Sequence, residues 1–289
     1  MSEVKLVDGV YEGPVRAGSN WSRESAGSIH DDATASKLGF RGGTVAGSIH
    51  MNQFVPPLLE AFGEEWFRSG FLSLYFVNAT THGEPVQVFV KQPAAGETQV
   101  PTWMKRADED TQVAVGHAGL GDTSRSELRT RDLRPGNPDD LRILKGLAPA
   151  FDLGTHTVAL SSKRQSERIA AGEMSEPIPW YTDPGHWGGL VASPSAAVEL
   201  LWAAPTSTMR PIAGPVVGLF GAIEIAHVKG PIILDETYEV TGQVVAVGQS
   251  PKTEYMWFDS SAKNRAGDEV ARMRMLLRFM KASSDRYKE

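Results

Sequence analysis

The sequence contains no cysteine. This absence excludes disulfides, thiolate nucleophiles and cysteine-bound zinc, and it is typical of a protein from a reducing compartment. Residues 1–13 lack a basic start followed by an apolar run, so they give no sign of a signal peptide. No stretch approaches the roughly 20 apolar residues that a membrane helix needs. We therefore expect a cytoplasmic protein with no membrane partner.

A concentrated basic surface is also missing. The 289 residues carry a formal net charge of −6, whereas nucleic-acid phosphates are bound by clustered positive charge. Two basic clusters occur, at residues 125–134 and 272–281. The first is interleaved with acidic residues, which indicates a solvated linker. The second alternates with apolar residues, which indicates one face of a strand, so no nucleic-acid partner is expected.

Motifs for metals, cofactors and activated serines are absent as well. There is no HExxH and no other spacing that binds a metal. There is no GxSxG elbow and no phosphate-binding glycine loop. The sequence predicts neither a metal site nor a bound cofactor.

The chain does contain an internal repeat. GGTVA at residues 42–46 reappears as GGLVA at residues 188–192, and GEPVQV at residues 83–88 lines up with DETYEV at residues 235–240. The same order of elements surrounds both copies, which predicts a duplication. We place the two units at residues 1–135 and 136–289, the second more degenerate. A polar linker at residues 122–140, which contains PGNP, joins them.

Periodicity predicts the same elements in both units. Apolar residues of segment 47–62 form one helical stripe, which the proline pair at 56–57 must kink or interrupt. Strands then follow one another without intervening helices, which is typical of an antiparallel sheet. The second unit repeats this plan with a shorter helix at residues 195–204. The predicted class is α+β, with strands at residues 71–79, 85–91, 98–106, 111–120, 220–227, 237–247, 253–261 and 271–279.

Residues 28–47, SIHDDATASKLGFRGGTVAG, resemble the signature of the MaoC-like hydratases of the hot-dog fold. In that family an Asn-Pro-(Ile/Leu)-His-x-Asp stretch precedes an Ala and a Gly-Phe, and ends at a His-Gly-Met that opens the central helix. The Gly-Glu pair at residues 83–84 resembles the family's Pro-Val-x-x-Gly-Asp turn. Over the second half the resemblance rests on element order and the repeated glycine motif. It implies a double hot-dog fold, in which two fused units mimic the usual homodimer; a homodimer of the whole chain stays open.

The resemblance also implies an activity. MaoC-like (R)-specific hydratases and dehydratases act on trans-2-enoyl or 3-hydroxyacyl thioesters of coenzyme A or acyl carrier protein. Their catalytic pair is an Asp and a His five residues later. This sequence keeps the histidine, as His30, but has Ser25 at the aspartate position, with Glu24 adjacent. A hydroxyl cannot act as a carboxylate base near neutral pH without a further activating partner.

The candidate catalytic residues are therefore His30, Glu24, Ser25 and Asp32. Glu24 is the nearby carboxylate that could replace the missing partner, and Asp32 could orient the imidazole. In the alternative interpretation His30 is a loop histidine, and the acidic residues after it belong to the first turn of a helix at residues 32–38.

A thioester carbonyl also needs positive potential at its oxygen, which a helix N-terminus supplies. A glycine pair before a helix also occurs in turns that bind nothing. His50 could face the pocket, although a histidine on the helix surface is commoner. Trp187, beside the second glycine motif, could line a pocket for a bulky acyl group. The candidate substrate-binding residues are Arg41, Gly43, Ala46, Gly47, Ser48, His50 and Trp187.

In the second half, alignment on the glycine motif places Glu176 where the first half has His30, followed by Asp183 and His186. Residues 181–185 alternatively form an ordinary turn. Three functions remain open for the chain. They are a carbon–oxygen lyase acting on an acyl thioester, a non-catalytic hot-dog protein that binds an acyl chain or small ligand, and a hot-dog thioesterase.

Overall fold

The computed structural model describes residues 3–174, 176 and 178–288. Its strands form one antiparallel sheet in the order β1-β2-β5-β6-β7-β4-β9-β12-β11-β10-β8, with β3 beside β5. The first half contributes β1 (Lys5–Val7), β2 (Val10–Glu12), β3 (Arg16–Ala17), β4 (Gly70–Phe76), β5 (Pro85–Lys91), β6 (Gln99–Arg106) and β7 (Gln112–Leu120). The second half contributes β8 (Asp152–Ala159), β9 (Gly218–His227), β10 (Thr237–Gln249), β11 (Thr253–Lys263) and β12 (Glu269–Met280).

The helices lie mainly against the sheet's inner face. They are α1 (Asp32–Lys37), α2 (Gly47–Met51), α3 (Val55–Phe62), α4 (Glu65–Ser69), α5 (Glu127–Thr130), α6 (Ser162–Ala170) and α7 (Pro194–Ala213). A 3-10 turn, Asn52–Phe54, separates α2 from α3, and the proline pair lies in the first turn of α3. Proline is tolerated there because the first N–H groups of a helix have no partner within the helix. The predicted interruption of this segment is confirmed.

Helix α7 is longer than the sequence predicted. It begins after Ser193, whose side chain accepts a hydrogen bond from the N–H of Ala196, and it ends at Gly214. The predicted end was residue 204, and a proline inside a helix removes a backbone donor. The helix nevertheless continues through Pro205, whose ring is buried and packs near Gly242 of β10. Tertiary packing offsets the local cost of the proline.

Strands β4 and β9 join the two halves. They pair antiparallel from Phe71↔Ala226 to Tyr75↔Ala222, so the two smaller sheets become continuous. Behind this seam the central helical segments are hydrogen-bonded to each other. Asn52 Nδ2 donates to Ser195 Oγ at 3.1 Å, and the Ser195 N–H donates to Asn52 Oδ1 at 2.9 Å. The two halves therefore share one interior.

The connection between the halves is packed rather than solvated. Leu128 and Ser126 are fully buried on the sheet's outer face, where the Leu128 N–H donates to Ser73 Oγ. Arg129 donates to Glu224 Oε1 at 2.7 Å and to Asp259 Oδ2 at 3.1 Å. The prediction of a solvated linker at residues 125–134 is wrong for residues 126–129, whereas residues 125, 130, 132 and 134 are exposed. Arg129 finds its partners on the strands beneath the segment, and sequence interleaving cannot reveal such contacts.

Candidate functional site

His30 lies in the loop before α1, and its ring is fixed by one hydrogen bond. Its Nδ1 is 2.7 Å from the backbone oxygen of Thr44. Because a carbonyl oxygen can only accept, Nδ1 carries the hydrogen, and Nε2 of the neutral ring is left as an acceptor. Asn20 Nδ2 donates to the backbone oxygen of His30 at 2.8 Å and steadies the loop. This is the tautomer that a general base requires.

The ring borders a cavity of about 380 Å³ between the two halves. The cavity lies where β4 and β9 separate beyond their last paired residues. Its polar lining comes from His30, Thr44, His50, Tyr75, Asn78, Thr80 and Arg278. Its apolar lining includes Ile29, Phe40, Val45, Phe76, Val113, Leu219 and Phe220. The shape and lining suit an apolar chain with a polar group near the imidazole.

The start of α2 borders the same cavity. Ala46 and Gly47 line it, and Ala46, at the N-cap position, offers no side-chain hydrogen bond to the first turn. The first N–H groups of a helix lack partners within the helix and carry partial positive charge. A ligand oxygen near Gly47 would therefore meet a hydrogen-bond donor and a favourable potential.

Asp32 and Gly43 act on the loops rather than on the cavity. The Gly43 N–H donates to Asp32 Oδ1 at 2.6 Å. A Cβ atom at Gly43 would overlap the backbone oxygen of His30. Only glycine allows the two loops to approach this closely, so the Asp32 carboxylate and Gly43 together position the His30 loop.

Gly47 permits the close approach of Phe76. A Cβ atom there would overlap the Phe76 ring, which lines the cavity. We expect Gly47→Ala to push that ring aside and to lower the free energy of unfolding by about 1–3 kcal/mol. Urea denaturation measures this loss. The double variant Gly47→Ala/Phe76→Leu should recover most of it, and a single variant as stable as the wild type would contradict the packing argument.

His50 is a buried wall residue. Its side chain is only 2% exposed, and Nε2 lies 2.6 Å from Thr80 Oγ1. Gly18 packs against the ring edge, since a Cβ atom there would lie 2.8 Å from His50 Cε1. Burial lowers the pKa of His50 to about 4, so the ring is neutral near pH 7. His50 thus lies at the cavity, as its candidate role predicted, and the alternative of a histidine on the helix surface is wrong because the loop containing Gly18 covers this side of the helix.

The buried histidines predict a pH dependence of stability. Burial also lowers the pKa of His227 to about 4. In the unfolded chain both rings titrate near pH 6.5, so between about pH 6.5 and 4 the unfolded state binds more protons and acidification favours unfolding. Each ring should remove about 3 kcal/mol of stability across that window and none above it. In His227→Phe, the free energy of unfolding should fall less steeply between pH 7 and pH 5, because one of the two histidine contributions is gone. Urea denaturation at pH 7, 6 and 5 measures this free energy. A variant whose free energy of unfolding falls as steeply with pH as that of the wild type would contradict the assignment.

Glu24 and Ser25 do not reach the cavity. The Glu24 side chain is 91% exposed and lies beside Arg23, with Oε1 3.4 Å from Nε. Ser25 is exposed in a turn, where its N–H donates to the backbone oxygen of Ser22. No carboxylate is among the described residues that line the cavity. The structure thus brings His30 to the cavity without either predicted partner.

The remaining predicted binding residues lie outside the cavity. Arg41 Nη2 donates to both carboxylate oxygens of Glu84, at 2.8 and 2.9 Å, and this ion pair holds the glycine loop against the turn before β5. Ser48 is buried in α2 but does not line the cavity. Trp187 belongs to another part of the molecule, with the Arg68 guanidinium 4.6 Å above its ring.

The second half has a different counterpart to His30 from the one predicted. Thr44 and Val191 are structurally equivalent, since each lies two residues before the N-cap residue of a central helix, Ala46 or Ser193. The N–H of Thr44 donates to the oxygen of Ile29, and the N–H of Val191 donates to the oxygen of Trp180. The residue after Trp180 is Tyr181, which therefore corresponds to His30. Alignment on the glycine motif placed Glu176 there, because the loops before the two motifs differ in length. The Glu176 carboxylate instead accepts from Arg16 Nε at 3.0 Å.

Aromatic rings fill the counterpart position in the second half. Tyr181 is fully buried, and the rings of Phe67 and Trp180 meet edge to face at 5.6 Å. Trp187 lies 5.9 Å from Trp180, and His227 lies 5.8 Å from Phe67. The counterpart of His30 is thus a fully buried tyrosine among aromatic rings, so the two halves differ in structure at this position.

Known structures define the fold of the chain. A double hot-dog protein from Mycobacterium tuberculosis superposes with a TM-score of 0.61 at 12% identity, covering 97% of each chain. A MaoC-like dehydratase superposes with a TM-score of 0.54 at 14% identity, covering 95% of this chain and 98% of the other. The dehydratase domain of PpsC from M. tuberculosis, in complex with C12:1-CoA, gives 0.52 at 11% identity and covers 97% and 98%.

The chain therefore has the double hot-dog fold, and the predicted α+β class and the resemblance to MaoC-like proteins are confirmed at the level of the fold. No protein-family model matches this sequence, and no curated protein matches it. Within residues 3–174, 176 and 178–288, no helix combines the length and apolar character needed to cross a bilayer. The same residues contain no group of three or more acidic or histidine side chains that could hold a metal ion.

Proposed function

We propose that the chain is a carbon–oxygen lyase that hydrates or dehydrates an acyl thioester, with His30 as its acid–base group. The observation that carries this proposal is the shared cavity. It brings an imidazole with a free Nε2 together with the uncapped start of α2. A fold neighbour that is a dehydratase domain in complex with an acyl-CoA supports the same ligand class.

The proposed reaction uses one imidazole for both proton transfers. His30 Nε2 removes a proton from water while the water oxygen attacks the β carbon of a 2-enoyl thioester. The negative charge that moves onto the thioester oxygen is stabilised by the N–H groups at Gly47 and the start of α2. The protonated ring then gives its proton to the α carbon. One water is added in total, and dehydration follows the same path in reverse.

The other candidate residues support this chemistry from outside the cavity. Asp32, Gly43 and Arg41 hold the two loops that position His30 and Gly47. His50 supplies a neutral polar wall, and the apolar residues around it surround the acyl chain. Coenzyme A and acyl carrier protein are both suitable carriers, since each presents the thioester on a pantetheine arm.

The direct test is a panel of enoyl thioesters. We expect purified protein to convert crotonyl-CoA, or a longer 2-enoyl-CoA, into the 3-hydroxyacyl product over many turnovers, measured by mass spectrometry. Release of free thiol would instead indicate a thioesterase. An inert protein over the whole panel would contradict the lyase.

One observation favours a second candidate, a hot-dog protein that binds an acyl chain without turnover. The described lining residues of the cavity include no carboxylate to share the work of His30. Such a protein would be stabilised by an acyl ligand through mass action, with no product. Thermal shift measurements alongside the turnover assay separate the two candidates.

A further inference from the structure

A second, smaller pocket lies on the outer face of the sheet, next to the cavity that His30 borders. It has a volume of about 180 Å³. Tyr75 and Arg278 line both spaces, and Arg278 Nη2 donates to the Tyr75 hydroxyl at 3.1 Å. The seam between β4 and β9 stops pairing at Tyr75↔Ala222. The strands separate there, so only the hydrogen-bonded side chains of Tyr75 and Arg278 are common to the walls of the outer pocket and the cavity.

Glycine makes room for the arginine at this gap. A Cβ atom at Gly221 would lie 2.9 Å from Arg278 Nε. Any other residue at this position would press on the guanidinium and on the Leu276 side chain. The glycine therefore allows the charged group to lie beside the cavity.

The outer pocket is positively charged. Its described lining contains Arg131, Arg134 and Arg278 but only one acidic residue, Asp132. Arg131 is ion-paired with Glu127 and stacks on Tyr75, with its guanidinium carbon 3.7 Å from the ring centre. Within the part of the chain that the structure describes, no carboxylate forms an ion pair with Arg134 or Arg278. Two guanidinium groups are thus available to an anion.

The backbone around Arg134 is held in place. The Tyr255 hydroxyl donates to the Arg134 backbone oxygen at 2.6 Å, and Asp132 Oδ1 accepts from the Arg134 N–H at 2.9 Å. Arg134 has a φ of +50°, in the left-handed region that a residue other than glycine adopts only with support. The backbone that carries Arg134 is therefore fixed before any ligand binds.

We propose that the outer pocket binds the phosphate group of a pantetheine-linked thioester through Arg134 and Arg278, while the acyl end passes Tyr75 to reach His30. This inference rests on the proposed thioester substrate. Guanidinium groups match phosphate because their N–H donors point in parallel and their charge is permanent. The phosphate next to pantetheine is common to coenzyme A and to the arm of a carrier protein, so both sources share this chemistry.

The test compares three unreactive thioethers by calorimetry. They are S-butylpantetheine without phosphate, S-butyl-4′-phosphopantetheine with one, and S-butyl-CoA with the full nucleotide. We expect wild-type protein to bind the two phosphorylated ligands about 10- to 100-fold more tightly than S-butylpantetheine, with a smaller ratio at high salt. Equal binding of phosphopantetheine and CoA ligands assigns recognition to the shared phosphate. Tighter binding of S-butyl-CoA than of S-butyl-4′-phosphopantetheine would mean that the protein also contacts the nucleotide phosphates of CoA.

The variants localise the effect. In Arg134→Gln/Arg278→Gln the ratio of affinities for the phosphorylated and the unphosphorylated ligands should fall towards one. The control is Arg272→Gln, which removes an arginine that pairs with Glu269 on the same strand as Arg278, and it should keep the wild-type ratio. Arg134→Gln alone changes an exposed side chain and guards against misfolding. Equal binding of all three ligands by the wild type, or an unchanged ratio in the double variant, would overturn the proposal. Phosphate-dependent binding without turnover would contradict the lyase alone.

Discussion

His30→Ala is expected to lower kcat for hydration of a 2-enoyl thioester by about 10²- to 10⁴-fold, the range typical of an acid–base group. The expectation follows from the ring's geometry, because Nδ1 is committed to the Thr44 oxygen and Nε2 is the ring nitrogen left for proton transfer beside the cavity. No carboxylate of the described lining can take over the proton transfer. Stopped-flow or steady-state hydration assays measure the loss.

Matched variants separate chemistry from folding. His30→Gln keeps a polar side chain of similar size but cannot carry the proton, so it should be about as slow as alanine. His156→Ala removes a histidine on β8, outside the cavity, and should behave as wild type. Affinity for an unreactive thioether should change little in either His30 variant. A His30→Ala enzyme with wild-type kcat would remove the proposed mechanism.

Glu254→Ala is expected to reduce the free energy of unfolding by about 3–5 kcal/mol, because buried donors lose their acceptor. Glu254 is fully buried on β11. Its carboxylate accepts from the backbone N–H groups of residues 142, 143 and 144, at 2.7 to 3.0 Å, and from the Tyr287 hydroxyl at 2.6 Å. One side chain thus fixes the chain between the halves and the C-terminal segment.

The same carboxylate should make stability fall in acid. Burial alone raises the pKa of Glu254, but the hydrogen bonds from Tyr287 and the three N–H groups hold it below its usual value. Its contribution is therefore complete above the unfolded-state pKa and is lost as the pH falls through the folded-state value. Glu254→Gln should lose less stability than alanine and should lack this acid-dependent part. Glu239→Ala, an exposed carboxylate on β10, is the control. A Glu254→Ala protein within 1 kcal/mol of wild type, by urea denaturation, would refute the role.

The spacing of apolar residues was enough to predict a helix or strand wherever the local sequence pattern matches the burial of the residues. The alternation in β12 predicted its two faces, with Met273 and Met275 buried and Arg272 exposed. The acidic start of α1 was equally clear, and Asp31 caps that helix through its side chain. By contrast β8 and α6 were missed, since β8 buries little of its surface and α6 is mostly polar.

The candidate site was predictable only in part. The motif identified His30 and the start of α2, because these are neighbours along the chain. The inward position of His50 depends on the distant loop at Gly18, and the lining from Phe220 and Arg278 depends on the pairing of β4 with β9. No spacing in the sequence records those long-range contacts. The cavity's full lining therefore required the fold.

A crystal structure with the crotonyl amide analogue of coenzyme A, in which nitrogen replaces the thioester sulfur, tests the central claim most directly. We predict the acyl chain in the cavity, its carbonyl oxygen about 3 Å from the Gly47 nitrogen and its β carbon one water away from His30 Nε2. A chain bound elsewhere, such as the groove between α6 and α7, would contradict the account. So would a His30 ring turned away from the ligand.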